Sequence, residues 1–143
     1  MKPRIFIDSS VLFSAANSER GHSRDLVLMS AREELVLVLS RYVLEETRRN
    51  LARLKEPKDM ELEFLLSNAE MEIITVDKND ILRAAKKTVL KDAPIIAAAE
   101  KAKVTILVSL DKKHILGRPE LETYINAPIL TPKEAFQKIK ASK

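Results

Sequence analysis

The sequence contains no cysteine, and that absence removes disulfides, thiolate metal sites and cysteine nucleophiles together. Histidine is nearly missing too: His22 and His114 supply zinc chemistry poorly. Any metal site must therefore be built from carboxylates, and oxygen ligands suit hard cations such as Mg²⁺ and Mn²⁺. No apolar run approaches the roughly 20 residues that span a bilayer. No long apolar segment near the N-terminus ends in a small-residue cleavage site, so the expectation is a protein of the cytoplasm without membrane association.

What is present describes a folded protein. At 143 residues, with 45% hydrophobic and 32% charged residues, the chain suits one ordinary domain spanning 1–143. A net charge of +4 suits a polyanionic partner, although a moderate excess of Lys is also common in proteins that never touch nucleic acid.

RIFID, 4 to 8, is a short run of β-branched and aromatic residues and reads as a buried strand. Residues 26–32 read as a helix with Ser23 as its N-cap, and ELVLVLS, 34–40, as a strand buried on both faces. In the helix RYVLEETRRNLARL, Val43, Leu44, Thr47, Leu51 and Leu54 form one stripe at 3.6-residue spacing. A further helix over 57–70 turns Leu62, Leu65 and Leu66 inward, and MEIITV, 71–76, is the third strand. Asp77 to Asp80 cap a helix over 79–90, Asp92 opens another, and VTILVSL, 104–110, is the fourth strand. Beyond a turn-rich stretch with Gly117 and Pro119, APIL, 127–130, is the last strand, and a terminal helix begins with Thr131 as cap and Pro132 at its first position. Strands alternating with helices indicate an α/β protein, a three-layer α/β/α sandwich around a central, mainly parallel sheet.

Such sheets bind ligands at the carboxyl ends of their strands. Asp8 ends the first strand and Asp111 follows the fourth, so both should face one crevice; Asp92 opens the helix leading to that fourth strand. Each has a plainer reading as a turn or cap residue. On the helix after the second strand, Glu46 borders the apolar stripe while Glu45 points more nearly away, which makes Glu46 the better candidate and leaves Glu45 as the alternative. Carboxylates converging without a cation repel one another and raise at least one pKa. A divalent ion removes the conflict and can hydrolyse phosphodiesters without a histidine base.

The residues carrying this pattern resemble a PIN domain, the nuclease family that includes the VapC-like toxin ribonucleases of toxin–antitoxin pairs. IFIDSSVLFSA resembles the opening motif and maps onto Asp8 and Ser10; LSRYVLEETRRNL resembles the second and maps onto Glu46; KDAPIIAAAEKAKVTILVSLD resembles the third and fourth and maps onto Asp92 and Asp111, with Ser109 in the polar place before the last acid. The resemblance implies a PIN fold and a metal-dependent endoribonuclease. Asp8, Glu46, Asp92 and Asp111 would be its catalytic and metal-binding acids, and Ser10 and Ser109 would position water or substrate. It departs from the family in Leu110, between Ser109 and Asp111, and in Lys112, Lys113 and His114, which add no acid after Asp111.

Arg48, Arg49 and Arg53 follow Glu46, Lys86, Lys87 and Lys91 precede Asp92, and Lys112 and Lys113 follow Asp111, as a groove for a phosphate backbone requires. Arg48, Arg49 and Lys112 are the substrate-binding candidates among them; ordinary solvated faces explain any one of them equally well. With aromatic content of 4%, RNA recognition through backbone and shape is expected over base stacking. His114 reads as a solvated helix or loop residue, with an approach to a phosphate or metal as the alternative. The family also implies a homodimer and an antitoxin partner, for which Tyr42, Phe64 and Leu65 are apolar candidates. Two other readings stand beside this one. One is a non-catalytic PIN-fold module that binds RNA or protein; the other is a phosphatase or phosphotransferase with Asp8 as nucleophile, weakened by Ser10 standing where a second Asp is familiar.

Overall fold

The computed structural model describes residues 2–142. Five parallel strands form one sheet: β1 (Arg4–Ile7), β2 (Val36–Ser40), β3 (Met71–Ile74), β4 (Ile106–Val108) and β5 (Ile129–Leu130), in the order β3-β2-β1-β4-β5. β1 lies at the centre, with Ile5 paired to Leu37 on one side and to Ile106 on the other. Ile5, Phe6 and Ile7 are fully buried, as an unbroken apolar strand covered on both faces must be. β3 is an edge strand and largely exposed.

Helices cover both faces of the sheet. On one side α1 (Ser9–Asn17) packs against α2 (His22–Ala31), α3 (Arg41–Ala52) and α4 (Asp59–Leu66), and the terminal α8 (Pro132–Ala141) rests on α2. On the other, α6 (Ala93–Ala102) packs between α5 (Lys78–Ala84) and α7 (Pro119–Ile125). Connections leave β1 toward β2 and leave β4 toward β5, so the chain reverses its winding between β1 and β4. That switch point is where a doubly wound sheet opens a crevice.

Several local expectations need correction. α2 starts earlier than the apolar pattern indicates: Gly21, at φ +113, is its N-cap, and Ser23 lies buried inside the helix. The reversal into α2 uses a backbone conformation that glycine tolerates and L side chains rarely adopt. α1 and α7 occupy stretches with no helix expected; α7 uses Pro119 in its first turn and Glu120 and Glu122 beside its N-terminus. The helix expected over 79–90 runs from Lys78 to Ala84, opened by the reciprocal capping box of Asp77 and Asp80. α8 begins as expected, with Thr131 capping Glu134.

In α3 the stripe Val43, Thr47 and Leu51 is buried. Thr47 is fully buried, and its Oγ1 has no hydrogen-bond partner among the described residues. A buried hydroxyl left without a hydrogen bond costs about 1–3 kcal/mol. Thr47→Val is therefore expected to raise the unfolding free energy by about 1 kcal/mol, read as a higher urea midpoint at unchanged m-value. A lower midpoint would show that the hydroxyl has a partner in solution.

Candidate active site

The end of β1 sets the site. Asp8, almost fully buried, caps α1: its Oδ1 accepts the Val11 N–H at 3.1 Å and the Ser10 hydroxyl at 2.6 Å. Its Oδ2 accepts the hydroxyl of Ser109, just past β4, at 2.5 Å. The carboxylate thus fastens the switch point from both strands. Ser109 Oγ in turn accepts the Asp111 N–H at 3.0 Å, and Ser10 Oγ accepts the Leu110 N–H at 3.3 Å. Asp111 Oδ1 accepts the N–H groups of Lys113 and His114, both at 3.0 Å, closing the turn after β4.

Asp92 behaves differently. It stands at the N-cap position of α6 and makes no side-chain capping bond; its Oδ2 is buried and has no hydrogen-bond partner among the described residues. The capping role open on sequence is therefore not what its side chain does. His114 Nδ1 lies 3.8 Å from Asp92 Oδ2 and 3.8 Å from Asp111 Oδ2. The three side chains place ligand atoms within 4.8 Å of one another. His114, expected to be solvated, is half-buried against both acids.

Asp8, Ser9, Ser10, Glu46, Asn50, Lys91, Asp92 and Asp111 share one cavity of about 530 Å³ with an apolar wall of Phe13, Ile95 and Ile115. Glu46 reaches it from α3, where it accepts hydrogen bonds from the Ser9 hydroxyl and, at 3.4 Å, from the Tyr42 hydroxyl. Glu45 lines a separate cavity beside Tyr42 and Ile81. Asp8 and Glu46 thus lie in the cavity but outside the tight set of Asp92, Asp111 and His114. Arg48 is turned aside into an ion pair with Glu63 on α4, at 2.6 Å; Arg49 and Lys112 are exposed and do not line the cavity. Ser9, Asn50, Lys91 and His114 are the members that sequence reading missed or passed over. Ser9 had a visible signal, since it follows Asp8 at the start of a cappable helix, but its bond to Glu46 bridges 37 residues of sequence.

Burial pushes the Asp8 carboxyl above the usual aspartate range; the hydrogen bonds from Ser10, Ser109 and Val11 pull it back, and the Asp111 charge adds to the rise. Burial also raises Asp92, with Asp111 and Glu46 adding to the rise and His114 and Lys91 opposing it. A buried carboxylate with an unpartnered oxygen beside a second acid is costly unless a cation completes it. The donor set, carboxylate oxygens with one imidazole nitrogen, fits a hard divalent ion such as Mg²⁺ or Mn²⁺.

These observations define a parallel α/β/α sandwich with a carboxylate-lined cavity at its switch point. The chain belongs to the PIN domain family, whose model matches residues 5–116. No curated protein matches it in sequence. Among solved structures it is similar to PAE2754 from Pyrobaculum aerophilum, at TM-score 0.65 and 18% identity over 99% of each chain. It is also similar to a toxin–antitoxin complex from Klebsiella pneumoniae, at TM-score 0.60 and 18% identity, covering 90% of this chain and 97% of that one. A third is VapC20 of Mycobacterium tuberculosis, a sarcin–ricin loop cleaving toxin, at TM-score 0.56 and 17% identity over 76% of this chain and 91% of that one. At these identities the likenesses establish the fold. Among the described residues no helix is long and apolar enough to cross a membrane.

Proposed function

We propose that the chain is a single-domain PIN endoribonuclease that hydrolyses RNA phosphodiesters with Mg²⁺ or Mn²⁺ and acts in the cytoplasm as the toxin of a toxin–antitoxin pair. The observation that carries this reading is the buried, unpartnered Oδ2 of Asp92, set beside Asp111 and His114 in the switch-point cavity. When bound there, a divalent cation supplies Lewis-acid stabilisation of phosphoryl oxygen and a water of lowered pKa. Asp92 and Asp111, with His114 beside them and Asp8 and Glu46 across the cavity, are the residues to hold it. The remaining polar groups orient these acids. Ser109 and Ser10 fix both Asp8 oxygens, and Ser9 and Tyr42 fix Glu46.

Membership of a nuclease family and the likeness to toxin–antitoxin structures support the toxin role. Exposed apolar side chains give an antitoxin or a second copy somewhere to bind: Phe64 is 79% exposed and Tyr42 37%, whereas Leu65 is buried. The direct test is cleavage of single-stranded RNA in Mn²⁺ or Mg²⁺, with a chelator and the Asp8→Asn protein as controls. Cleavage is expected to disappear in both; cleavage that survives them sinks the assignment. RNA binding with no metal uptake and no cleavage identifies a non-catalytic module instead.

A further inference from the structure

An acidic centre cannot by itself attract a polyanion. Positive charge has to come from nearby, and four arginines are already committed: Arg4 pairs with Glu72, Arg48 with Glu63, Arg83 with Asp80 and Arg32 with Glu34. A second concavity of about 310 Å³ adjoins the acidic one. It is lined by Lys86, Lys87, Thr88, Val89, His114, Arg118, Glu120 and Leu121. His114 links the two: it lines this second cavity, and its Nδ1 lies 3.8 Å from Asp92 and Asp111, which line the acidic one.

The backbone builds this cavity from the segments that carry the two acids. Lys86 and Lys87 sit in the turns after α5 that lead into Asp92, and Arg118 closes the turn that starts at Asp111. Arg118 Nη2 donates to the Lys113 carbonyl at 2.7 Å, which holds the guanidinium in place without neutralising it against an acid. Lys86 and Lys87 are exposed and make no ion pair among the described residues. Glu120 is the single acid in the lining, set against two lysines, an arginine and a histidine.

We infer that this cavity is a phosphate subsite that takes the backbone of a single-stranded RNA next to the bond positioned at the acidic centre. The inference rests on the ribonuclease reading and deepens it: Lys86, Lys87 and Arg118, not Arg48, Arg49 and Lys112, hold the strand. Thr88 adds a neutral hydroxyl donor, and Leu121 and Val89 add apolar lining that carries no sequence code, consistent with backbone recognition. An acidic protein segment, the other polyanion that such a surface can meet, lacks the regular phosphate spacing; it serves as the competing outcome below.

The test is equilibrium binding of a fluorescently labelled ten-nucleotide single-stranded RNA to the full chain in a cleavage-silent Asp92→Asn background, across a salt series. Lys86→Ala/Lys87→Ala is expected to weaken binding by about tenfold or more at low salt. It should also flatten the plot of log K against log salt by about 0.7 for each phosphate no longer neutralised. Glu120→Gln, which alters no basic residue, is expected to tighten binding and guards against a misfolded variant. In the Asp92-containing protein the same double substitution should raise KM for RNA. Unchanged affinity and salt slope in both variants overturn the subsite, even where wild-type cleavage stands. Binding that depends on Lys86 and Lys87 in a wild-type chain that does not cleave keeps the subsite and removes the enzyme. Displacement of the RNA by an acidic peptide at equal charge concentration, with no preference for the nucleic acid, also overturns it.

Discussion

Asp92→Asn is expected to lower metal-dependent RNA cleavage by about 10³-fold, equivalent to about 4 kcal/mol of transition-state stabilisation, while leaving the fold intact. The substitution is nearly isosteric, and among the described residues the Asp92 side chain makes no hydrogen bond that Asn would break. Its effect therefore falls on charge. Removing one negative group from the set with Asp111 and His114 weakens the hold on a divalent cation at the point where the phosphate must be polarised. The same argument orders the other acids. Glu46→Gln is expected to cost activity, because Glu46 lines the cavity with Asp8, Asp92 and Asp111; Glu45→Gln is not, because Glu45 faces a different cavity. Cleavage rates under single-turnover conditions with saturating Mn²⁺ separate the cases. An Asp92→Asn protein within tenfold of wild type, or Glu45→Gln falling as far as Glu46→Gln, contradicts the arrangement.

The strands were legible because a buried parallel strand has a plain signature: Ile5 to Ile7 and Val36 to Leu39 are apolar without a break, and the two strands pair in the centre of the sheet. The closing helix was legible through its own chemistry, a Thr131 cap and Pro132 in the first turn. α1 was not, although its cap was on view. Its apolar residues, Val11, Leu12, Phe13, Ala15 and Ala16, run almost continuously, so no 3.6-residue stripe stands out, and burial against α2, α3 and α4 replaces the amphipathic pattern. α7 hid behind Gly117 and Pro119, which read as turn residues until Pro119 is seen in a first helical turn.

The site divides the same way. Asp8 and Asp111 could be placed because the carboxyl-end rule constrains them, while helix geometry favoured Glu46 and left Glu45 open until the two are seen lining separate cavities. The place of His114 was not legible, since nothing local distinguishes a histidine turned toward Asp92, which lies far from it in sequence, from one turned to water. Which of the basic flanks stay free was also invisible. Arg48 looks like a substrate ligand until α4 supplies Glu63. Long-range pairing decides which charges remain free, and sequence does not report it.

The second large effect is on stability, and it runs opposite to activity. Asp8 and Asp92 both carry carboxyl pKa values raised mainly by burial. A carboxyl whose pKa is higher in the folded chain than in the unfolded one binds its proton more tightly when folded. The metal-free protein therefore gains stability as pH falls from neutrality through the raised values, and the gain is complete once pH drops below the unfolded value near 3.8. Asp80 and Glu72 pull the other way, since the Asp77 N–H and the Arg4 guanidinium hold them below their ordinary values and their contribution is lost in stronger acid. The metal-free Tm is thus expected to peak on the mildly acidic side of neutrality. Asp92→Asn removes the buried charge outright. In chelator at pH 7 it should raise Tm by about 2–6 °C, the counterpart of about 1–2 kcal/mol in a chain of this size. Mn²⁺ should reverse the ranking: at a hundredfold excess over Kd it stabilises the wild type by about 2.7 kcal/mol, and it should leave the Asn variant nearly unmoved. Thermal scans with chelator and with Mn²⁺ read both signs at once. A variant less stable than wild type in chelator, or one whose Tm still climbs with Mn²⁺, removes Asp92 from the metal site, because only a charge that is a burden without the cation and a ligand with it gives the crossed pattern.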